Sequence, residues 1–250
     1  MDAGVTREVA RLVREAGTVV ALSGAGISVP SGIPDFRSPG TGLWADANPM
    51  EVAHIDAWRR DPQRFWAFYD QRFQTLQGKQ PNAAHHALVE LERRGLLRAV
   101  ITQNIDGLHR AAGTRALVEV HGTIATSSCL ECEATAALEE VRERIAAAPD
   151  GVPRCEDCAA PLKPDVVLFG ELLPIEAIER AQALCSIADV LLCIGTSLEV
   201  HPVAALPELT DAAGGDVVVI TKGSTPWDER AAHRLGGDVV DELEGLVAAL

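Results

Sequence analysis

The chain has 250 residues, 47% of them hydrophobic, and carries a formal net charge of −14 at pH 7. Such a chain can bury one sizeable core with a smaller appended module, and its acidity argues against nucleic acid as a direct partner, because that binding depends on Lys and Arg side chains that neutralise phosphates. No apolar run approaches the ~18 residues that cross a bilayer, and the first residues do not form a basic segment followed by an apolar one, so we expect a cytoplasmic protein with no membrane partner.

Helices and β-rich segments alternate over the first half of the chain. Apolar residues at helical spacing predict a helix over 5–16, and a short β-branched run predicts a buried strand over 18–22. Asp61 as a cap, with Pro62 at the first helical position, predicts an aromatic-rich helix over 61–73. The further predicted elements are a helix over 82–94, a strand over 97–102, a short helix over 107–112 and a strand over 116–121.

The second half resumes this alternation after an interruption. Residues 123–163 contain two pairs of cysteines around a polar, Ala/Glu-rich middle, and we expect no sheet element there. Beyond them the predicted elements are a strand at 166–169, a helix over 174–185, a strand over 189–194, and strands at 217–220 and 239–240. This alternation predicts one large α/β domain whose parallel sheet is covered on both faces, with a metal module inserted in it.

A loop of small residues follows the first predicted strand. Gly24 and Gly26 lack the Cβ atoms that would hold backbone N–H groups away from a phosphate, which suggests a nucleotide site. The loop is not an ordinary dinucleotide fingerprint, because Val29 stands at the third glycine position and no acid about 20 residues on lies in an obvious strand. Taken alone, a Gly/Pro-rich surface loop is an equal alternative.

The four cysteines of the interruption form two Cys-x-x-Cys pairs, separated by residues 133–154. The first pair is Cys129 and Cys132, and the second is Cys155 and Cys158. Two thiolates from each pair can complete a tetrahedral zinc site, and four protein ligands leave no open position for chemistry. We therefore predict one structural Zn²⁺; two disulfides or unpaired thiols are the alternative.

Polar residues follow two neighbouring predicted strands. Gln103, Asn104 and Asp106 come directly after the strand that ends at residue 102, and His121 ends the next one, with Gly122 expected to clear space for a ligand beside it. Ligands of doubly wound sheets bind beyond the carboxyl ends of strands, so these side chains should project at one edge. Each has a plainer interpretation when taken singly, as a helix cap or a packed histidine.

A further loop of small donors follows the strand predicted over 189–194. Gly195, Thr196 and Ser197 can bind a phosphate or ribose hydroxyls, although such a loop can equally cap a helix. With the loop after Gly24 and the two polar segments, four strand ends should converge. Convergence of four such loops favours a ligand site over four independent caps.

The motifs occur together in an order that is specific to one family. They are Gly24-Ala25-Gly26-Ile27-Ser28, Ser31-Gly32-Ile33-Pro34-Asp35-Phe36-Arg37-Ser38, Thr102-Gln103-Asn104-Ile105-Asp106-Gly107-Leu108-His109, Val120-His121-Gly122, the two Cys-x-x-Cys pairs, Lys163-Pro164-Asp165-Val166-Val167-Leu168-Phe169-Gly170-Glu171 and Gly195-Thr196-Ser197-Leu198-Glu199-Val200. From residue 18 to about residue 202, this series resembles the sirtuins, which are NAD-dependent protein lysine deacylases. The resemblance spans nearly the whole chain.

The resemblance implies a fold and a division into domains. The expected fold class is α/β, a Rossmann-like doubly wound parallel sheet with an inserted small zinc-binding module. Residues 1–37, 82–122 and 164–250 would form the Rossmann-like NAD-binding domain. Residues 38–81 would form a cofactor loop and helical segment, and residues 123–163 the four-cysteine zinc module.

The resemblance also implies NAD as a co-substrate. Asn104 and Asp106 would position the nicotinamide ribose and carboxamide, and His121 would be the general base for the ribose hydroxyls, a task that suits an imidazole with an unperturbed pKa near ~6.5. The products would be free lysine, nicotinamide and O-acyl-ADP-ribose. The implied NAD contacts are Gly24, Ala25, Gly26, Asp35, Phe36, Arg37, Gln103, Asn104, Ile105, Asp106, Gly195, Thr196, Ser197, Thr221 and Gly236.

Acylated lysine side chains of other proteins are the implied partners. The substrate peptide would lie between two segments and pair with their main chains, a mode that confers little sequence selectivity. The implied substrate contacts are Val166, Phe169 and Gly170 on one side and Leu198 and Val200 on the other.

Tyr69 and Arg72 carry the prediction of acyl selectivity. They are three residues apart on a predicted helix, hence on one face, where a phenol and a guanidinium can point at one carboxylate. A Tyr-x-x-Arg pair at this place is similar to the sirtuin subgroup that removes succinyl, malonyl and glutaryl groups. We predict a preference for succinyl and malonyl groups, with acetyl also accepted. The alternatives are an ordinary amphipathic helix and a deacetylase without acidic-acyl preference.

Two departures from the family pattern and two other functions remain. Thr221 stands where sirtuins usually carry an Asn that hydrogen-bonds the adenosine ribose. We therefore expect either weaker NAD binding or an adenine end held by backbone groups. The loop around Gly236 also aligns poorly with the family pattern. Protein mono-ADP-ribosyl transfer would use the same pocket. A non-catalytic NAD sensor or zinc-held interaction module is the non-enzyme alternative, and the combination of Asn104, Asp106 and His121 argues against it because a sensor needs no base.

Overall fold

The computed structural model of the protein describes residues 2–35 and 48–250, apart from the side chains of Pro49 and Arg72. Two predicted NAD contacts, Phe36 and Arg37, lie outside the described residues. Within the described ranges, none of the helices has the length and apolar content needed to cross a bilayer.

Helices and strands alternate over most of the chain. The helices are α1 (Ala3–Glu15), α2 (Pro49–Val52), α3 (Ile55–Arg60), α4 (Pro62–Leu76), α5 (Ala83–Arg93), α6 (Leu108–Ala112), α7 (Leu138–Ala147), α8 (Ile175–Ser186), α9 (Leu206–Ala212) and α10 (Val239–Ala249), with 3-10 turns at Ala25–Ser31 and Val203–Ala205. The strands are β1 (Val19–Ser23), β2 (Ala99–Thr102), β3 (Leu117–Glu119), β4 (Gly122–Cys129), β5 (Thr135–Ala137), β6 (Leu162–Val166), β7 (Val190–Ile194), β8 (Asp216–Ile220) and β9 (His233–Leu235).

The larger sheet is a parallel, doubly wound one. Six of the described strands follow the order β3-β2-β1-β7-β8-β9, and every neighbouring pair is parallel. Every residue of β1, β2 and β7 is buried, as expected of Val/Ile/Leu-rich strands with helices on both faces. The strand order reverses between β1 and β7, so this switch point is where a crevice opens at the carboxyl edge. The predicted fold class is confirmed.

A second, smaller sheet contradicts the expectation that residues 123–163 contain no sheet element. Strands β5, β4 and β6 form an antiparallel sheet in that order. The strand predicted at 166–169 is also wrong, since β6 ends at Val166 and belongs to this small sheet. In β4, buried positions are interspersed with exposed and half-buried ones, as in antiparallel strands with one solvated face. Such a strand has no continuous apolar run for a sequence pattern to reveal.

The strand predicted at residues 239–240 is likewise wrong. Val239 opens α10, because the Asp238 side chain accepts a hydrogen bond from the Val240 amide at 3.0 Å and so caps a helix. Val239, Leu243 and Leu246 are buried at helical spacing. The last strand of the large sheet is β9 instead, a three-residue edge strand without an apolar signature.

One hydrophobic core joins the aromatic helices to the cysteine module. It contains Phe65, Trp66 and Phe73 from α4 together with Cys129, Cys155 and Leu162 from the small sheet and its loops. The indole N–H groups of Trp58 and Trp66 both donate to the Leu162 carbonyl oxygen, at 3.3 and 2.9 Å. Helix α4 is therefore fixed to the small sheet.

Candidate active site

A cleft of about 1020 Å³ runs along the carboxyl edge of the large sheet. Its wall includes the ends of β3, β2, β1, β7 and β8, which are five adjacent strands and so span about 19 Å at ~4.8 Å per strand. The predicted convergence of strand ends is confirmed. The predicted site residues on its wall are Gly24, Ala25, Gly26, Asp35, Tyr69, Gln103, Asn104, Ile105, Asp106, His121, Val166, Phe169, Gly170, Gly195, Thr196, Ser197, Val200 and Thr221.

Two predicted contacts are not among the described residues that line the cleft. Leu198 is 4% exposed and packs in the core beneath the β7 loop. Gly236 follows β9, where the Arg234 guanidinium approaches it. Their assignment as contacts stays a prediction.

The glycines at the switch point make room for a neighbouring loop. The Gly26 amide donates to the Gly195 carbonyl at 2.8 Å, and a Cβ at Gly26 would lie 2.8 Å from the Gly195 Cα. A Cβ at Gly24 would lie 2.8 Å from the Thr196 Cβ. The sequence argument that these glycines admit a phosphate stays a prediction, and the structure gives their lack of a Cβ a second reason. They allow the loops after β1 and β7 to pack together across the crevice, which sets the shape of its floor.

Asn104 and Asp106 are held by a buried hydrogen-bond network. The Asn104 side chain donates to the Gly24 carbonyl at 3.1 Å and to Ser28 Oγ at 3.2 Å. Ser28 Oγ in turn donates to Asp106 Oδ2 at 2.6 Å, and the Leu108 amide donates to Asp106 Oδ1 at 2.9 Å. Burial raises the pKa of the Asp106 carboxyl. The amide and the carboxyl are thus preset in position before any ligand arrives.

His121 presents an unprotonated nitrogen to the cleft. Its Nδ1 lies 3.0 Å from the Gln103 carbonyl oxygen, which can only accept, so Nδ1 carries the proton and Nε2 keeps its lone pair. Burial lowers the pKa of His121, and the bond to Gln103 opposes that shift in part. A neutral imidazole whose Nε2 keeps its lone pair is the form that a general base requires.

Gly122 clears space for the protein itself. Its φ of 74° lies in the left-handed region, and a Cβ there would collide with the Asp165 carbonyl oxygen of β6. The expectation that this glycine makes room for a ligand is therefore wrong. The close approach lets the start of β4 pair with β6, and the Val167 amide donates to the His121 carbonyl at 2.9 Å.

Tyr69 stands on the wall of the cleft within an aromatic cluster. Its ring stacks on Phe65 with centroids 4.3 Å apart, and the rings of Phe68 and Phe73 meet it edge-on at 5.6 and 5.8 Å. Phe68, Phe73 and Leu76 also line the cleft, and none of the three was predicted as a site residue. Their spacing along α4 is an amphipathic signal that could have identified them. The backbone of Arg72 lies one turn beyond Phe68 in α4, and its side chain lies outside the described part of the structure.

A partly buried ion pair supports the predicted substrate segment. Lys163 Nζ lies 3.0 Å from Glu171 Oε2 and donates to the carbonyls of Pro164 and Val166 at 3.1 and 2.9 Å. The Glu171 carboxylate also accepts from the Leu168 amide at 2.9 Å. The charged side chains of Lys163 and Glu171 thus flank residues 164–170. Sequence reasoning quoted this motif without giving either charge a role.

The far end of the cleft, beyond β8, is also held by charged side chains. Arg234 donates to the carbonyls of Thr221, Lys222 and Gly223, at 3.3, 3.4 and 2.8 Å. Lys222 Nζ lies 2.8 Å from Asp238 Oδ2, and both residues line the cleft. The loop that starts at Thr221 is therefore fixed by side chains from β9 and the α10 cap.

The four cysteines form a cluster of the size that zinc requires. The ligand atoms of Cys129, Cys132, Cys155 and Cys158 all lie within 4.8 Å of one another, and two of the sulfur pairs are 3.4 Å apart. A tetrahedron with Zn–S bonds of ~2.3 Å has sulfur atoms about 3.8 Å apart. Four thiolates and no open position fit one structural Zn²⁺, as predicted, and such a site binds no substrate.

Comparisons with known proteins agree with this geometry. The family model described as Sir2 family matches residues 24–202. An NAD-dependent protein deacetylase from Sulfolobus acidocaldarius is 43% identical over 90% of this chain and 87% of its own, and an NAD-dependent protein deacylase from Thermococcus sibiricus is 42% identical over 94% of each. A solved structure described as a complex of Sir2, a p53 peptide and NAD+ superposes with a TM-score of 0.90, at 38% identity over 96% of each chain. This chain belongs to the Sir2 family.

Proposed function

We propose that this protein removes acyl groups from lysine side chains of other proteins in an NAD-dependent reaction, and that it prefers the acidic succinyl and malonyl groups. The observation that carries the first part is the position of His121, Asn104 and Asp106 together at the cleft wall, beside the switch point of a doubly wound sheet. The names of the relatives, NAD-dependent deacetylases and deacylases, support the same reaction.

The length of the cleft supports a dinucleotide. Its wall passes five strand ends, from His121 to Thr221, enough for two nucleosides joined by a pyrophosphate. We place the nicotinamide end at His121, because the amide and carboxyl groups gather there, and the adenosine at Thr221 and Asp238. The loop at Thr221 is fixed by Arg234, so backbone groups can take over from the missing Asn side chain.

The chain's own groups would act in three ways. NAD, when bound, supplies an electrophilic ribose carbon and nicotinamide as the leaving group. Asn104 and Asp106 would hold the ribose and the carboxamide so that the acyl oxygen faces that carbon. His121 Nε2 would accept a proton from a ribose hydroxyl, and its Nδ1–H bond to Gln103 keeps the acceptor nitrogen pointed into the cleft. The products would be free lysine, nicotinamide and O-acyl-ADP-ribose.

The preference for acidic acyl groups rests on α4. Tyr69 lines the cleft with its ring immobilised by three aromatic neighbours, and Arg72 follows it at the spacing that puts both on one helix face. A guanidinium there would pair with the distal carboxylate of a succinyl group in two-point fashion. Phe68, Phe73 and Leu76 would enclose the aliphatic part of the acyl chain.

The test is a side-by-side assay of one peptide that carries acetyl, succinyl or malonyl lysine, with and without NAD. Nicotinamide release and peptide mass are both measured. We expect hydrolysis only with NAD, faster for the succinyl and malonyl peptides. Tyr69→Phe combined with Arg72→Met should remove desuccinylation and leave deacetylation largely intact.

The matched control is Arg64→Met, which removes the same charge from the same helix at a side chain that pairs with Glu51 outside the cleft. It should change neither activity. Equal loss of both activities in the double variant would refute the selectivity proposal and leave a deacetylase without acidic-acyl preference. Transfer of label from NAD to an unacylated protein faster than deacylation would instead favour ADP-ribosyl transfer, and NAD binding without nicotinamide release would favour a sensor.

A further inference from the structure

One peptide group links the candidate base to a buried hydroxyl. The carbonyl of the Gln103–Asn104 peptide accepts from His121 Nδ1 at 3.0 Å, and the N–H of the same peptide donates to Thr102 Oγ1 at 3.1 Å. A peptide group is planar and its carbonyl and N–H point in opposite directions, so rotation of the plane moves the carbonyl away from His121 and the N–H away from Thr102 at the same time. The orientation of this plane therefore depends on Thr102 as much as on His121.

The Thr102 hydroxyl is itself held in place. Its side chain is 2% exposed, and its Oγ1 also accepts from Ser23 Oγ at 2.8 Å. Ser23 and Thr102 are direct partners in the register of β1 and β2, and His109 Nε2 lies 2.8 Å from Ser23 Oγ. Buried on adjacent strands of the sheet, this hydroxyl pair has no freedom to follow a peptide that rotates.

We propose that Thr102 is a positioning residue for His121: its hydroxyl locks the Gln103–Asn104 peptide plane, and the plane holds His121 with the proton on Nδ1 and the lone pair on Nε2 toward the cleft. The kinetic consequence rests on the proposed deacylase function, whereas the tautomer of His121 does not. The same lock acts on Asn104, whose backbone N–H is the donor, so one hydroxyl outside the cleft would orient two groups on its wall.

Loss of the hydroxyl has a defined consequence. The N–H of Asn104 would be left in a buried place without its acceptor, and the peptide would rotate to pair it elsewhere. The carbonyl would then leave His121 Nδ1, and the ring would populate the other tautomer, in which Nε2 carries the proton and cannot accept one.

The experiment compares Thr102→Val, which keeps the shape and removes the hydroxyl, with Thr102→Ser, which restores it. The matched control is Thr210→Val, because Thr210 is equally buried and its hydroxyl donates to the Cys185 carbonyl at 2.8 Å, far from the cleft. Nitrogen-15 NMR of histidine-labelled full-length protein, with His121 assigned by its absence in His121→Gln, reports the tautomer. Steady-state kinetics report kcat and KM.

We expect the His121 Nδ1–H tautomer in the wild type, Thr102→Ser and Thr210→Val, and a mixture in Thr102→Val. In the same variant kcat should fall about tenfold, which is ~1.4 kcal/mol in the barrier, with KM for the acyl peptide within about twofold of wild type. An unchanged tautomer in a folded Thr102→Val protein overturns the proposal, as does a kcat loss no larger than that of Thr210→Val. If Thr102→Val does not fold, Ser23→Ala, which loosens the same hydroxyl, must shift the tautomer in the same direction. An inactive wild type with these tautomers would refute the proposed function and leave this inference standing.

Discussion

Trp58 and Trp66 share one acceptor, and this predicts an energetic coupling between them. Both indole N–H groups donate to the Leu162 carbonyl oxygen of β6, at 3.3 and 2.9 Å. Replacement of either by Phe removes one donor and leaves the other in place. Replacement of both leaves the buried carbonyl without an indole donor, which costs more than the loss of two separate hydrogen bonds.

The magnitudes follow from the two distances and the burial. Trp66→Phe loses a hydrogen bond worth about 1 kcal/mol, and a space of roughly 40 Å³ at ~24 cal/mol per Å³ adds about 1 kcal/mol, so we expect about 2 kcal/mol in all. Trp58→Phe loses a longer bond at a less buried site and should cost about 1 kcal/mol. The double variant should lose about 4 to 6 kcal/mol, because an unpaired buried carbonyl adds a further ~1 to 3 kcal/mol.

Urea denaturation followed by far-UV circular dichroism, with zinc present throughout, measures the free energy of unfolding of the four proteins. Far-UV detection avoids the fluorescence change that the substitutions themselves cause. A coupling energy of at least ~1 kcal/mol is expected. Additivity within about 0.5 kcal/mol would refute the shared-acceptor argument.

Four further predictions concern protons, charges and metal. Because burial lowers the pKa of His121, kcat/KM should stay constant down to pH ~6.5 and fall only at lower pH. A fall in kcat/KM with a midpoint above pH ~6.5 would contradict the role of His121 as the base. Burial lowers the pKa of His85 to about 4 and of His109 to about 3, so the unfolded chain binds protons on both histidines below pH ~6.5 while the folded protein does not. The free energy of unfolding, measured by urea denaturation, should therefore be about 4 kcal/mol lower at pH 5 than above pH ~6.5. A free energy of unfolding that does not change with pH would contradict this prediction. Lys163→Met should lower the free energy of unfolding by about 2 to 3 kcal/mol, which is below the range of fully buried pairs because Glu171 is 23% exposed. The same variant should raise KM for the peptide more than it lowers kcat. Adding Glu171→Gln should recover part of the lost stability, because it removes the unpaired charge. Atomic absorption should find one zinc ion per chain. Removal of the metal by a chelator should lower the Tm, while part of the circular dichroism signal, that of the large sheet, remains. A Tm that is unchanged without metal would refute a structural zinc.

Sequence patterns located those parts of the molecule that depend on local or strongly apolar signals. The buried strands β1, β2, β7 and β8 are short Val/Ile/Leu runs, and Asp61 with Pro62 marks the start of α4, as expected. The Cys-x-x-Cys spacing identified four ligands that the fold does bring together. Each of these patterns involves only a few neighbouring residues, so it can be interpreted without knowledge of the tertiary structure.

The same kind of pattern did not predict the small sheet or the last edge strand. Strand β4 has only Ile124, Ala125 and Cys129 as apolar residues, among Gly, Thr and Ser, and β9 has three residues. Neither contains the alternation or the apolar run by which a strand is predicted from sequence. Val239 and Val240 resemble a strand locally, and only the Asp238 cap and the burial of Leu243 and Leu246 show that they begin a helix. Where a short segment is compatible with two structures, its long-range packing chooses between them.

The order of motifs along the chain was thus sufficient to predict an α/β sheet, a zinc module and a set of strand-end residues, because each motif is a short segment of contiguous residues. The reasons behind particular residues came from contacts between distant segments. Gly26 is a glycine because the Gly195 loop packs on it, Gly122 because Asp165 approaches it, and the His121 tautomer depends on a carbonyl 18 residues away. Distances between segments remote in sequence are set by the packing of the whole sheet, and no local pattern contains them.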